Sequence, residues 1–318
     1  MAKVLVTGAT GFIGKRLCLH LQGLGHEVWG TTRTAINPDL VPFHPIQIDL
    51  TTQDNRWDNL LNGVDTIFHL AAYVHQPQKR HSDLVTECRK MNFESTVRLA
   101  TAASLNSVRK FIFLSTIKVN GEGLENHDYL ETDLPSPKDP YGWSKLKAEE
   151  ALATLSKQTG IEIVCLRPPL VYGEEVRANF LSLLKIIKKG WPLPFKNIKN
   201  RRSLIYVGNL VHALKTCMEK ENASGKTYLI SDGEDISTPA LINQIAQIMK
   251  VPSRLFSFPP FLYKVMGKVT FQEGTLKRLT GSLSVNSEKI RNDLDFSPPY
   301  SLKVGLEKTV IWFLTQHG

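Results

Sequence analysis

The chain has 318 residues, of which 42% are hydrophobic and 22% charged, and a formal net charge of +9. That composition suits one large globular domain or two sharing a core, and no window approaches the ~20 apolar residues of a membrane span. The bases are not concentrated in one block, and the densest cluster, Lys196 to Arg202, lacks interleaved aromatics. The charge therefore points to an anionic small-molecule substrate and not to nucleic acid.

The N-terminal run "KVLVTG" is only strand-length, and glycines follow it at once, so no signal peptide is expected. Cys18, Cys88, Cys165 and Cys217 are scattered, with no metal-ligand spacing. They read as four reduced thiols of a cytoplasmic protein, and no metal is expected. In chain order, "KVLVTG" is strand one and "IGKRLCLHLQGLG" a helix ended by Gly23 and Gly25. "EVWGTT" is strand two, "IQIDL" strand three, "DNRWDNLLNG" a short helix and "DTIFHLAA" strand four. A long helix over Val85 to Ser107 precedes strand five, "KFIFLST". Another from Tyr141 to Gly160 precedes strand six, "IEIVCLRPPLVYG".

Alternating βα units with apolar strands predict an α/β fold, a doubly wound parallel sheet of Rossmann type over residues 1–173. Beyond Gly173 the pattern loosens. "ANFLSLLKIIKKG", "VGNLVHALKTCMEK" and "STPALINQIAQIMK" read as helices, the last capped by Ser237 with Pro239 in its first turn. "KTYLISDG" reads as a strand, and "FSFPPFLYKVMGKV" as an apolar, proline-broken packing segment, with a peripheral membrane or dimer contact as the alternative. Residues 174–318 are expected to form mainly a smaller, substrate-binding lobe, with some segments packing back on the sheet.

Gly8, Gly11 and Gly14 lie between strand one and a helix. Glycine lets the loop turn sharply and approach a pyrophosphate, which the unpaired N–H groups of the helix N-terminus would hold. Tyr141 and Lys145 share a helix face four residues apart. A lysine ammonium beside a tyrosine favours phenolate and lowers its pKa, so that the pair can pass a proton to or from a substrate oxygen.

With these motifs the chain resembles the extended short-chain dehydrogenase/reductases, in the branch of NAD-dependent epimerases and dehydratases. The resemblance implies nicotinamide dinucleotide binding by Gly8, Gly11, Phe12, Ile13 and Gly14 and by Asp49 and Leu50 near adenine. It adds Leu70, Ala71 and Ala72 of "HLAA", Asn92 of "MNFEST", Ser115, Tyr141, Lys145 and Pro168 of "RPPLVYG". It also implies an upstream hydroxyl at the reacting oxygen, which is Thr116, with Ser115 beside it. Sugar 4,6-dehydratases of the family follow that threonine with Asp-Glu. Ile117 and Lys118 stand here, so dehydration lacks an acid and a base.

"IKVNGE" looks instead like bacterial nucleotide-sugar 4-ketoreductases of the UDP-N-acetylquinovosamine type, relatives of the UDP-hexose 4-epimerases. A UDP-sugar substrate is implied, with Arg202 of "RRSLIYV" on its diphosphate and Arg278 as a second phosphate contact. Asn179 is implied at the sugar-phosphate and Leu193 of "WPLPF" where backbone holds the base. Family members often dimerise through the two long helices of the first lobe, and a homodimer is left open here.

The catalytic set serves both a 4-epimerase, which recycles bound NAD, and a 4-ketoreductase, which consumes a reduced nicotinamide. Counting from Gly14, Thr32 sits 18 residues on, where an acid would grip the ribose of NAD. Thr32 does not repel a 2′-phosphate, and Arg33 can pair with one. NADP(H) is therefore favoured over NAD(H), and reduction of a UDP-linked 4-keto-6-deoxy-N-acetylhexosamine over epimerisation. A non-catalytic NADP(H) sensor is the remote alternative, disfavoured by the intact Tyr-Lys pair.

Overall fold

Alternate residues along each strand face opposite sides of one sheet, and this alternation organises the molecule. The computed structural model describes residues 1–52, 56–74, 81–123, 127–259 and 278–317. The strands β1 (Lys3–Thr7), β2 (Glu27–Thr32), β3 (His44–Gln47), β4 (Thr66–His69), β5 (Lys110–Leu114) and β6 (Glu162–Arg167) belong to this sheet. After β6 come β7 (Leu170–Tyr172) and β8 (Leu204–Tyr206), and β9 (Thr227–Leu229) returns to the main sheet. The seven strands are all parallel in the order β3-β2-β1-β4-β5-β6-β9.

Val4, Val6, Ile112, Leu114, Val164 and Leu166 enter one core. Their neighbours Leu5, Phe111, Phe113, Ile163 and Cys165 enter the other. Burial on both faces is what near-continuous apolar strands require. The first face is covered by α1 (Phe12–Gly23), α7 (Val207–Glu219) and α9 (Glu288–Leu294). The second is covered by α4 (Ser95–Leu105) and α5 (Pro140–Thr159). Between them in sequence lie α2 (Trp57–Leu60), α3 (His81–Cys88) and α6 (Ala178–Lys188).

The expected long helix is interrupted. A π-helical segment, Arg89–Glu94, joins α3 to α4. Such a widened turn re-aims side chains, and here it buries Asn92.

The expected single strand over residues 161–173 is two strands. Pro168 and Pro169 carry no N–H to continue a ladder. The chain leaves the main sheet there, and β7 pairs instead with β8 in a separate parallel ribbon. Strand three also starts and ends earlier than "IQIDL", leaving Asp49 beyond its end.

The second core gathers Phe180, Leu184 and Ile187 of α6 with Ile242 and Ile245 of α8 (Thr238–Met249). Leu306, Val310 and Phe313 of α10 (Leu302–His317) complete it. Ser237 caps α8 through the Ala240 N–H at 3.3 Å, with Pro239 in the first turn, as its sequence predicts. Segments beyond Gly173 return to the sheet: α7, β9 and α9 all pack in its first core. Most of "FSFPPFLYKVMGKV" lies outside the described residues. Among the described residues the four cysteines are free and buried, no metal-ligand cluster occurs, and no helix is long and apolar enough to cross a membrane.

Candidate active site

In an open parallel sheet, ligands sit beyond the carboxyl ends of the strands where strand order reverses. Here that point lies between β1 and β4. The loop after β1 is shaped by glycine. Gly8 has φ +70°, and a Cβ there would lie 2.9 Å from the Ala71 nitrogen. A Cβ at Gly14 would lie 2.1 Å from the Gly8 carbonyl oxygen. Gly11 stands at the N-cap of α1 with no side chain capping the helix, so its first N–H groups, at Phe12 and Ile13, face the loop. This is a cradle that a Cβ would fill, ending on an uncapped helix N-terminus, and it fits the pyrophosphate of a dinucleotide.

Leu70, Ala71 and Ala72 follow β4 directly, and Ala71 donates its N–H to Thr7 Oγ1 at 3.2 Å. Beside it, His69 is completely buried. Its Nδ1 meets Thr7 Oγ1 at 2.8 Å and its Nε2 meets Thr96 Oγ1 at 2.9 Å. Burial, with Lys145 nearby, pulls His69 down to about 3, so it is a neutral strut joining β1, β4 and α4.

Asn92 ties the segment after Ala72 to α5. Its Oδ1 accepts the Tyr73 N–H at 2.7 Å, and its Nδ2 donates to the Tyr73 carbonyl and to Ser144 Oγ, each at 3.0 Å.

At the end of β2, Thr31 Oγ1 accepts the Gly8 N–H at 3.4 Å, and Thr32 is buried with its hydroxyl directed at the Ile46 carbonyl. Arg33 is exposed. Asp49 turns its Oδ1 onto the N–H and hydroxyl of Thr51, at 2.8 and 2.7 Å. Those bonds, with Arg33 contributing, hold its carboxyl below the usual range. Leu50 beside it is buried.

The helix α5 begins at Pro140, and Asp139 caps it by accepting the Gly142 N–H at 2.7 Å. Tyr141 and Lys145 lie one turn apart. The Lys145 ammonium donates to the Leu114 carbonyl at 2.8 Å and sits 4.4 Å from the centre of the Phe113 ring. Among the described residues no hydrogen bond joins it to Tyr141. The phenol is therefore not lowered by its neighbour: burial, with Asp139 and Cys88 nearby, pushes it above its ordinary range. Burial also pulls Lys145 down to about 7, against the attraction of Glu149.

Thr116 follows β5 and caps a short 3₁₀ turn, its hydroxyl accepting the Lys118 N–H at 3.3 Å. Lys118 pairs with Asp139. Ser115 is committed elsewhere: its hydroxyl donates to Glu149, within a buried network that sequence reasoning missed. Arg167 Nε lies 3.0 and 3.1 Å from the two Glu149 oxygens, and Arg167 Nη1 donates to Asn120 Oδ1 at 2.9 Å. Spacing alone marks Glu149 only as one helical turn beyond Lys145, and nothing in it points to Arg167, 18 residues on. Pro168 is buried, and its carbonyl accepts the Ile117 N–H at 3.0 Å.

On the smaller lobe the structure brings Arg202 and Arg278 together. Arg202 Nη1 donates to the carbonyls of Arg278 and of Gly281, the latter at 3.0 Å. Burial, with Arg278 nearby, pushes the Arg202 guanidinium below its ordinary value. Arg201 turns away to Asp128 and Asp235, each at 2.7 Å. Asn179 is exposed in the first turn of α6. Leu193 N–H donates to the Arg254 carbonyl at 2.9 Å and its carbonyl accepts the Phe256 N–H at 3.0 Å, so its own backbone groups are paired within the protein.

The sequence profile of the NAD dependent epimerase/dehydratase family matches residues 4–231. The chain belongs to this family. This family member is 36% identical over 315 residues to a UDP-glucose 4-epimerase of Vibrio cholerae, covering 98% of this chain and 95% of that one. It is also 28% identical over 250 residues to a UDP-2-acetamido-2,6-beta-L-arabino-hexul-4-ose reductase of Pseudomonas aeruginosa, covering 76% and 56%. Among solved structures, a UDP-glucuronic acid 4-epimerase from Bacillus cereus in complex with UDP-glucuronic acid and NAD superposes with a TM-score of 0.80. It is 25% identical and covered over 99% of each chain. The family thus includes both epimerases and reductases of nucleotide sugars.

Proposed function

We propose that this protein reduces the C4 keto group of a UDP-linked 4-keto-6-deoxy-N-acetylhexosamine, using NADPH. The observation that carries the direction is the end of β2. Thr31 holds the glycine loop, Thr32 is buried against β3, and the exposed side chain that follows is the cation of Arg33. A guanidinium there suits a 2′-phosphate, and a carboxylate would repel it.

When bound, the reduced nicotinamide supplies a hydride to C4. Tyr141 gives its proton to the oxygen that becomes the 4-hydroxyl and recovers one from solvent. Burial and Asp139 hold Tyr141 as the phenol, the form that a reduction consumes. Lys145 is assigned to support the developing phenolate, a role that requires it to exchange its bond to the Leu114 carbonyl for one to Tyr141, and Thr116 orients the substrate oxygen. Arg202 and Arg278 hold the diphosphate as paired donors.

A second reading, a 4-epimerase with bound NAD, is favoured by the relationship to the Vibrio cholerae enzyme and by the NAD in the Bacillus cereus structure. The same Tyr141, Lys145 and Thr116 serve it. Incubation with the keto-sugar and NADPH separates the two. Loss of nicotinamide absorbance with formation of the alcohol supports the reductase. Interconversion of UDP-glucose with UDP-galactose, or of their N-acetyl analogues, without added cofactor and without NADPH loss with the keto-sugar replaces it by the epimerase.

A further inference from the structure

The excess positive charge is not spread over the molecule. From Val176 to Met218 there are nine lysines and arginines and no aspartate or glutamate. From Ile236 to Pro259 there are two more, again with no acid. These two stretches hold eleven of the chain's 39 bases and none of its 30 acids, so the remainder is close to neutral.

The fold sets residues 193–197 of the first stretch alongside residues 254–257 of the second. Leu193 pairs with Leu255, and Lys196 N–H donates to the Phe256 carbonyl at 3.2 Å. Ser257 Oγ donates to Asn197 Oδ1 at 3.2 Å, and α6 and α8 share one apolar core beneath. Leu193 and Leu255 turn inward to that core. Trp191 is left 61% exposed and Phe256 42% exposed. Around them stand exposed Lys185, Lys189, Lys196 and Arg254. Lys189 Nζ lies 5.5 Å from the Trp191 ring centre. Among the described residues none of these four bases has a carboxylate partner, whereas Arg201 has two.

We propose that this basic, aromatic-bearing surface docks the protein on an anionic lipid bilayer, with Trp191 and Phe256 entering the headgroup layer. The charge is complementary to such a surface, and each lysine or arginine near it strengthens binding by about a factor of five. Tryptophan and phenylalanine flanked by lysine stems are the side chains that rest at a membrane–water interface. Pro192, Pro252 and Pro259 keep the tip irregular and outside any sheet edge. A face for nucleic acid would instead line a groove with bases and amide or hydroxyl groups. Docking here brings the nucleotide-sugar site, whose Arg202 opens the same lobe, close to a membrane without any spanning helix. The inference concerns location and is independent of the reaction's direction.

Sedimentation with vesicles tests it. The full-length protein is expected to pellet with phosphatidylglycerol–phosphatidylcholine vesicles at low salt, and to leave them in part as salt rises, the fraction held by the aromatic side chains remaining. With phosphatidylcholine alone it should stay in the supernatant. Lys189→Gln, Lys196→Gln and Arg254→Gln together should weaken partition by about a hundredfold. Trp191→Ala with Phe256→Ala should abolish the salt-resistant fraction. All these side chains are exposed, so unchanged melting temperatures confirm that the variants are folded. Equal pelleting with neutral vesicles, or none with anionic ones, overturns the proposal. Release by uridine diphosphate would make the patch a nucleotide funnel, and equal affinity for a single-stranded oligonucleotide would make it a nucleic-acid face. Either result also overturns it.

Discussion

Glu149 of α5 and Arg167 at the end of β6 form a buried ion pair with both carboxylate oxygens engaged. Through Ser115 and Asn120 the same pair reaches both ends of the segment carrying Thr116. One interaction therefore registers the helix of Tyr141 and Lys145 against the strand ends facing it. Glu149→Gln should destabilise the fold by about 3–5 kcal/mol, because Arg167 is then buried without a counter-charge. Glu149→Met with Arg167→Met should recover most of that stability in urea melts. Its kcat should remain up to about a hundredfold low, since catalytic groups misplaced by about 1 Å lose that much.

Tyr141 is the proton donor in the proposed reaction. Tyr141→Phe should lower kcat by about 10²–10⁴-fold. It should leave cofactor affinity, read from nicotinamide fluorescence, within about twofold, because the pyrophosphate cradle lies on β1 and α1. A variant with normal turnover would remove Tyr141 from the mechanism.

Lys145 titrates at about 7 in the folded chain, below its ordinary range, because burial disfavours its charge. In the unfolded chain it titrates near about 10.4. Between these values the unfolded state binds more protons, so this group makes stability rise with pH from about 7 to about 10. Lys145→Met should flatten that rise in melts of the cofactor-free protein. A slope unchanged by the substitution would assign the rise to other groups.

Arg33 is the cation at the end of β2. Arg33→Ala should reduce the NADPH-over-NADH preference in kcat/KM by about tenfold or more, the loss of one charge-assisted phosphate contact. An unchanged ratio would detach cofactor choice from this strand end.

Gly14 leaves no room for a side chain, since a Cβ would lie 2.1 Å from the Gly8 oxygen and 2.8 Å from the Ala9 Cα. Both obstacles are backbone and must move together. Gly14→Ala should cost several degrees in Tm, as overpacking by about 1–3 kcal/mol does, and should weaken dinucleotide binding more than it weakens the fold. Full cofactor affinity in this variant would place the pyrophosphate elsewhere.

By itself the sequence determined the features that local chemistry dictates. Apolar alternation with glycine and proline punctuation marked the strands of the main sheet, because pleat and burial impose that period. The glycine loop and the Tyr141–Lys145 spacing are each legible within a few residues, because a tight turn and a helix face are local geometries. Tertiary structure alone decided what depends on residues distant in the chain. Arg167 lies 18 residues beyond Glu149 and Arg278 lies 76 beyond Arg202, so neither meeting can be read from spacing. The exit of the chain at Pro168 mattered only once β8 offered a partner to β7. Whether Lys145 would lower Tyr141 depended on burial and on the Leu114 carbonyl that claims the ammonium. The acid-free stretches were visible in the letters, but they became one face only when Leu193 met Leu255. Periodicity records which way a side chain turns, whereas the group it meets there is set by the packing of the whole chain.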